Sequence, residues 1–107
     1  MNQTELVTSI GNTLTKIDTA LMGEDLLDQP NKWQQLYALR KHLDDEQRLL
    51  VKADIDSDDL KFQTLSGTIA VATKQLNQKI NDMTKIDSII NIVSQIAANV
   101  DSVLQLF

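Results

Sequence analysis

An unbroken heptad pattern in the second half of the chain constrains the fold more than any other feature. From Leu60 to Phe107 there is no proline, and the two core positions of each seven-residue repeat are apolar in thirteen of fourteen cases, the exception being Lys79. Apolar residues at this spacing form a continuous stripe and are typical of helices that pack against other helices. The pattern predicts one helix over about residues 57–106, about 70 Å long.

The first half of the chain predicts two shorter amphipathic helices. Asn2 and Glu5 have the spacing of a capping box, and apolar residues then recur at steps of three and four, which indicates a helix over about 3–22. Pro30 suits the first position of a helix, and the apolar residues that follow it indicate a second helix over about 31–53.

The aspartate-rich segment Asp54–Asp59 divides the chain into halves of similar length. Short acidic side chains favour turns and helix starts. We therefore expect a single all-α domain over residues 1–107, an elongated antiparallel helical hairpin whose broken first arm packs on one long helix. The alternative is a three-helix bundle with a projecting C-terminal helix. The hairpin is favoured because the projecting part would be the most apolar part of the chain.

Composition excludes several classes of function. The 107 residues include no cysteine, which removes disulfides, thiolate metal sites and cysteine nucleophiles. The net charge is −5 and the basic residues form no dense cluster, so nucleic acid is not expected as a partner. The only histidine, His42, lies among charged neighbours and is expected to be solvated. We predict a protein that is not an enzyme and that has no catalytic, cofactor-binding or metal site.

The last twenty residues carry more apolar surface than one antiparallel helix covers. The leading hypothesis is therefore a non-enzymatic interaction protein that self-associates through its long helix, as a dimer that forms a four-helix bundle. A different protein partner is the alternative, and membrane contact is disfavoured because polar residues recur through the segment. The predicted interface comprises Ile89, Ile92, Val93, Ile96, Val100, Val103, Leu104, Leu106 and Phe107.

Two other functions stay open. Asp44, Asp45 and Glu46 form an acidic run, which suggests a docking strip in a small acidic inhibitor or adaptor, such as a phage-type antagonist, that binds a basic target. The third hypothesis is a membrane-active helical protein that opens its hairpin to insert the tail. The N-terminus has no secretory signal pattern. A cytoplasmic location is the expectation, with signal-independent export as the alternative.

Overall fold

Four α-helices joined by short connections make up most of the protein in the computed structural model, which describes residues 1–107. They are α1 (Gln3–Met22), α2 (Pro30–Lys52), α3 (Leu60–Lys79) and α4 (Ile86–Leu106). There is no β-strand. The prediction of an all-α fold is confirmed, and the first two helices begin and end within one residue of their expected bounds.

Local hydrogen bonds fix the helix starts that the sequence predicts. The Asn2 side chain accepts a hydrogen bond from the backbone N–H of Glu5 at 2.8 Å, and the Glu5 carboxylate accepts one from the backbone N–H of Asn2 at 3.0 Å. Pro30 is the first residue of α2. The Asp59 carboxylate accepts from the backbone N–H of Phe62 at 2.9 Å and caps α3. These caps satisfy N–H groups that have no partner inside the helix.

The single long helix expected over residues 57–106 is corrected to two helices. α3 ends at Lys79, and the chain reverses through the following six residues, which include the short 3-10 turn Met83–Lys85. The Asp82 carboxylate accepts from the Thr84 backbone N–H at 3.1 Å and from its hydroxyl at 2.6 Å. Such local bonds offer the backbone an alternative to helix, and the reversal lets the two halves of the stripe cover each other.

The four helices pair as two antiparallel hairpins. At one end of the molecule the Gln3 side chain donates to the carbonyl of Leu50 at 2.7 Å, which joins the start of α1 to the end of α2. At the same end the rings of Phe62 and Phe107 lie 6.4 Å apart, which joins the start of α3 to the end of α4. The hairpins meet mainly along α2 and α4, which run parallel. The bundle measures 44 × 22 × 17 Å, so no helix of 70 Å fits in it.

One apolar core runs through the bundle and includes residues from all four helices. α2 and α3 of the same chain pack against α4. The apolar face of α4 therefore packs against other helices of the same chain, in a four-helix bundle made by one chain. The projecting C-terminal helix of the alternative arrangement is not observed.

Candidate functional site

One ionisable side chain, that of Glu46, lies in this core. Only three buried residues are polar or charged: Thr13, Ser66 and Glu46. The hydroxyls of Thr13 and Ser66 donate to backbone carbonyls of their own helices, at 2.9 and 3.2 Å. Glu46 is 2% exposed, and no N–H or hydroxyl group donates a hydrogen bond to either of its carboxyl oxygens. A buried polar group without a donor is costly, and its presence in a native fold calls for an explanation.

The helical period of α2 places Glu46 inside. The buried residues of this helix are Leu36, Leu43, Glu46 and Leu50, so the carboxyl occupies an inward position between two leucines. Residues three and four apart share one face of a helix. A leucine at this position would simply continue the apolar stripe toward α4. The carboxyl therefore breaks the packing pattern at the junction of the two hairpins.

Two other side chains converge on this carboxyl. His42 lies one turn earlier on α2, with its Nε2 atom 3.6 Å from Glu46 Oε1. Asp101 projects from α4, and its Oδ1 atom is 3.3 Å from the same Nε2 atom. One nitrogen or oxygen from each of the three residues lies within 4.8 Å of the other two. The side chains of His42 and Asp101 are 52% and 46% exposed, so this cluster opens to solvent on one side and is closed by the core on the other.

The carboxyls of Glu46 and Asp101 influence each other's pKa. Burial raises the pKa of Glu46 to about 9, and the neighbouring Asp101 carboxylate adds to the effect. The proximity of Glu46 lowers the pKa of Asp101, and His42 lowers it further against the opposing effect of burial. At neutral pH and without another ligand, the proton therefore stays on Glu46. Two close carboxyls in a site of low polarity do not both ionise unless a cation joins them.

Most residues predicted as a self-association interface lie in the core of the monomer. The six buried ones are Ile89, Ile92, Val93, Ile96, Val100 and Val103. Leu104 and Leu106 are partly buried, and Phe107 is 45% exposed. A second chain reaches the six buried residues only if the bundle opens. Of the predicted interface, Leu104, Leu106 and Phe107 keep apolar surface that a second chain can reach in the folded bundle.

The predicted acidic strip does not form one surface. Successive residues of a helix point about 100° apart, so three neighbours in sequence face different directions. Asp44 lies between Arg40 and Arg48, with carboxylate-to-guanidinium distances of 3.7 and 3.2 Å. Asp45 is exposed and Glu46 is buried. Of the three, only Asp45 is both exposed and outside an ion pair.

One end of the bundle combines exposed apolar side chains with acidic ones. We call it the end face and define it by its exposed apolar residues and its exposed aspartates, which are Leu49, Val51, Leu60 and Phe107, and Asp54, Asp56 and Asp58. Beside it an open groove runs between α3 and α4, and its apolar lining residues are Leu60, Leu65 and Leu106. None of the protein's ion pairs includes an aspartate of this end face. Exposed apolar surface rimmed by charge is typical of a protein-binding site.

The segment Met83–Leu106 meets the length and composition criteria of a membrane-crossing helix, with a mean hydropathy of 1.3. The core helix of a bundle meets the same criteria. Here the most apolar positions of α4 face the bundle core. The segment is therefore weak evidence for the membrane-active hypothesis.

Sequence reasoning did not find the His42, Glu46 and Asp101 cluster. Its one local signal is the four-residue spacing of His42 and Glu46, which places an imidazole and a carboxyl on the same helix face. Asp101 lies 59 residues after His42 and is brought there only by the packing of α4 on α2. Comparison with protein families, curated proteins and solved structures finds no match to this chain.

Proposed function

We propose that this chain is a non-enzymatic interaction protein whose end face binds a basic, apolar segment of another protein. The observation that carries the proposal is the combination, at one end of the bundle, of exposed large apolar side chains with aspartates that have no ion-pair partner. Leu60 is the most exposed of the apolar residues there, at 79%. It also lines the groove between α3 and α4, so a partner helix that seats an apolar residue there buries surface that is now in water.

Charge favours a basic partner over a second copy of this chain. The segment Asp54–Asp59 contains four aspartates, while Lys52 and Lys61 are the basic residues that flank it. Two copies that met through this face in a symmetric dimer would place two net negative surfaces against each other. A segment with lysine or arginine beside apolar anchors complements both features of the surface. The proposal thus keeps the docking of a basic target but moves it from the predicted strip to the end face.

A synthetic helix can stand in for the natural partner in a direct binding test. The probe is a fluorescein-labelled amphipathic peptide of leucine and lysine, and its binding is followed by fluorescence anisotropy. We expect saturable binding that weakens as salt is added. Leu60→Ser and Asp58→Lys should each weaken it by at least about fivefold, which is the loss typical of an interface residue worth about 1 kcal/mol. Two exposed residues outside the end face provide matched controls, Leu27→Ser and Asp45→Lys, and both should leave the affinity unchanged.

Three results would overturn the proposal. The first is absence of binding, and the second is equal binding of a peptide in which glutamate replaces every lysine. The third comes from light scattering at micromolar concentration, where we expect a 12 kDa monomer. A stable dimer that Leu60→Ser dissociates would assign the end face to a second copy of the chain instead.

A further inference from the structure

The cluster of His42, Glu46 and Asp101 lies in the middle part of the bundle and is not part of the end face. Its three side chains offer one imidazole nitrogen and two carboxylate oxygens, and one ligand atom from each lies within 4.8 Å of the other two. Glu46 is almost fully buried and has no hydrogen-bond donor, whereas His42 and Asp101 reach solvent. We propose that these three residues bind one divalent metal ion of the zinc type between the two hairpins.

The distances in the cluster fit a small tetrahedral ion. Zinc binds histidine nitrogen at about 2.0–2.1 Å and carboxylate oxygen at about 2.0–2.2 Å, which places neighbouring ligand atoms of a tetrahedral site about 3.3–3.6 Å apart. The His42 nitrogen lies 3.3 Å from an Asp101 oxygen and 3.6 Å from a Glu46 oxygen. The third pair, Glu46 and Asp101, lies within 4.8 Å, so the carboxylates must approach each other by up to about 1.4 Å for ligand spacing. Three protein ligands leave the fourth position to water on the open side.

The donor set distinguishes zinc from calcium and magnesium. Imidazole is a preferred ligand of zinc and its transition-metal neighbours. Calcium takes six to eight oxygen ligands, and magnesium requires octahedral oxygen coordination. One nitrogen and two carboxylates on one side of a site meet neither need. Metal sites of helical bundles are built in this way, from inward side chains on facing helices.

The site would also hold the two hairpins together. His42 and Glu46 belong to α2 in the first hairpin, and Asp101 belongs to α4 in the second. α2 and α4 form the main contact between the hairpins. An ion that binds the folded bundle but not the unfolded chain raises the stability of the fold. The site therefore predicts a zinc-dependent increase in the thermal unfolding temperature.

Calorimetric titration of the EDTA-treated full chain with zinc chloride at pH 7 tests the inference. We expect one ion per chain, and no comparable binding of magnesium or calcium. Glu46→Gln keeps the size of the side chain and should weaken zinc binding by more than tenfold. Loss of a residue that only supports a ligand already weakens metal binding by about 10- to 100-fold, so loss of a ligand should cost at least as much as the lower value. His42→Asn changes a half-exposed residue and tests the same site without disturbing the core. Asp45→Asn is the matched control, because this neighbouring acid is exposed and lies outside the cluster.

A second readout separates a true site from diffuse binding by surface acids. Cobalt(II) in a four-coordinate site gives strong visible absorption, and we expect this signal to be lost in Glu46→Gln while circular dichroism still reports a folded bundle. The proposal is overturned if zinc does not bind at millimolar concentration or if several ions bind with equal affinity. It is also overturned if Glu46→Gln and His42→Asn retain the affinity of the parent chain, or if Asp45→Asn loses as much affinity as they do.

Discussion

Replacing Glu46 by glutamine should stabilise the metal-free protein at neutral pH, and the gain should grow as the pH rises. In the unfolded chain the carboxyl of Glu46 ionises freely in water. In the folded protein its burial and the neighbouring Asp101 keep it protonated. The folded state thus binds a proton that the unfolded state releases, and the free energy of unfolding falls with pH over this range. Glutamine has a similar shape, does not ionise, and offers an N–H donor to the Asp101 carboxylate.

The size of the gain follows from the pKa. The pKa of Glu46 rises from its ordinary value of 4.5 to about 9, and one unit corresponds to about 1.4 kcal/mol. The contribution of Glu46 to the free energy of unfolding is therefore most favourable below about pH 4.5 and falls until about pH 9, where the folded carboxyl also ionises. At pH 7 this lowers the free energy of unfolding by about 3 kcal/mol. The total for a typical domain is about 5–15 kcal/mol, so the loss is a large part of it. Asp101 does not cancel it, because its lowered pKa affects stability only at acid pH.

Urea unfolding followed by circular dichroism provides the measurement. The parent chain and Glu46→Gln are unfolded at pH 5, 6, 7 and 8 with EDTA present, so that no metal ion contributes. The difference in unfolding free energy between the two proteins should grow by about 4 kcal/mol from pH 5 to pH 8. Comparison across pH removes any constant effect of the amide itself.

Asp45→Asn is the control for the loss of one negative charge from α2. Asp45 is exposed, so we expect a difference from the parent of less than about 0.5 kcal/mol at each pH. The reasoning is refuted if the difference between Glu46→Gln and the parent does not change with pH. That result would mean that the Glu46 carboxyl ionises in the folded protein as it does in the unfolded one.

Two further predictions test the bundle itself. Ile96 is fully buried in α4, so Ile96→Ala should lower the unfolding free energy by about 2–5 kcal/mol, while Val71→Ala at a 59% exposed position should change it by less than about 0.5 kcal/mol. The chain has no natural cysteine, so spin labels attach only to the two cysteines introduced by Lys61→Cys and Gln105→Cys. Pulsed dipolar spectroscopy should give a separation near that of packed helices, about 10 Å plus the label arms, whereas about 65 Å would restore the single long helix.

The N-terminal starts of α1 and α2 could be predicted because they depend on short-range signals. The capping box of Asn2 and Glu5 and the position of Pro30 act within a few residues of the helix start. The break between α3 and α4 depends on packing between distant residues. Lys79, the one exception to the apolar pattern, is the last residue of α3, but Met83 and Ile86 continue the heptad register beyond it, so periodicity does not require a break. Two shorter helices that pack against each other are favoured over one extended helix when they bury more apolar area, and that area depends on the whole chain.

The candidate site is harder to predict than the fold. A charged residue in an amphipathic helix is usually solvated, and the sequence favours this interpretation for Glu46 as it does for Asp44 and Asp45. The spacing of Glu46 from Leu43 and Leu50 is that of the apolar stripe, but spacing alone does not override the general preference of a carboxyl for water. The approach of Asp101 requires that α2 and α4 run parallel and adjacent, an arrangement that follows only from the reversal after α3.

Glu46→Gln distinguishes three roles for the same carboxyl. A glutamate that only supports the packing of α2 on α4 would lose stability on substitution, because an amide would fit worse than the native group. A solvated glutamate would change neither stability nor zinc affinity. A buried ligand that is costly without its ion should gain stability in EDTA and lose zinc binding in the same variant. Opposite changes in the two measurements would therefore locate both the energetic cost and the metal at one side chain.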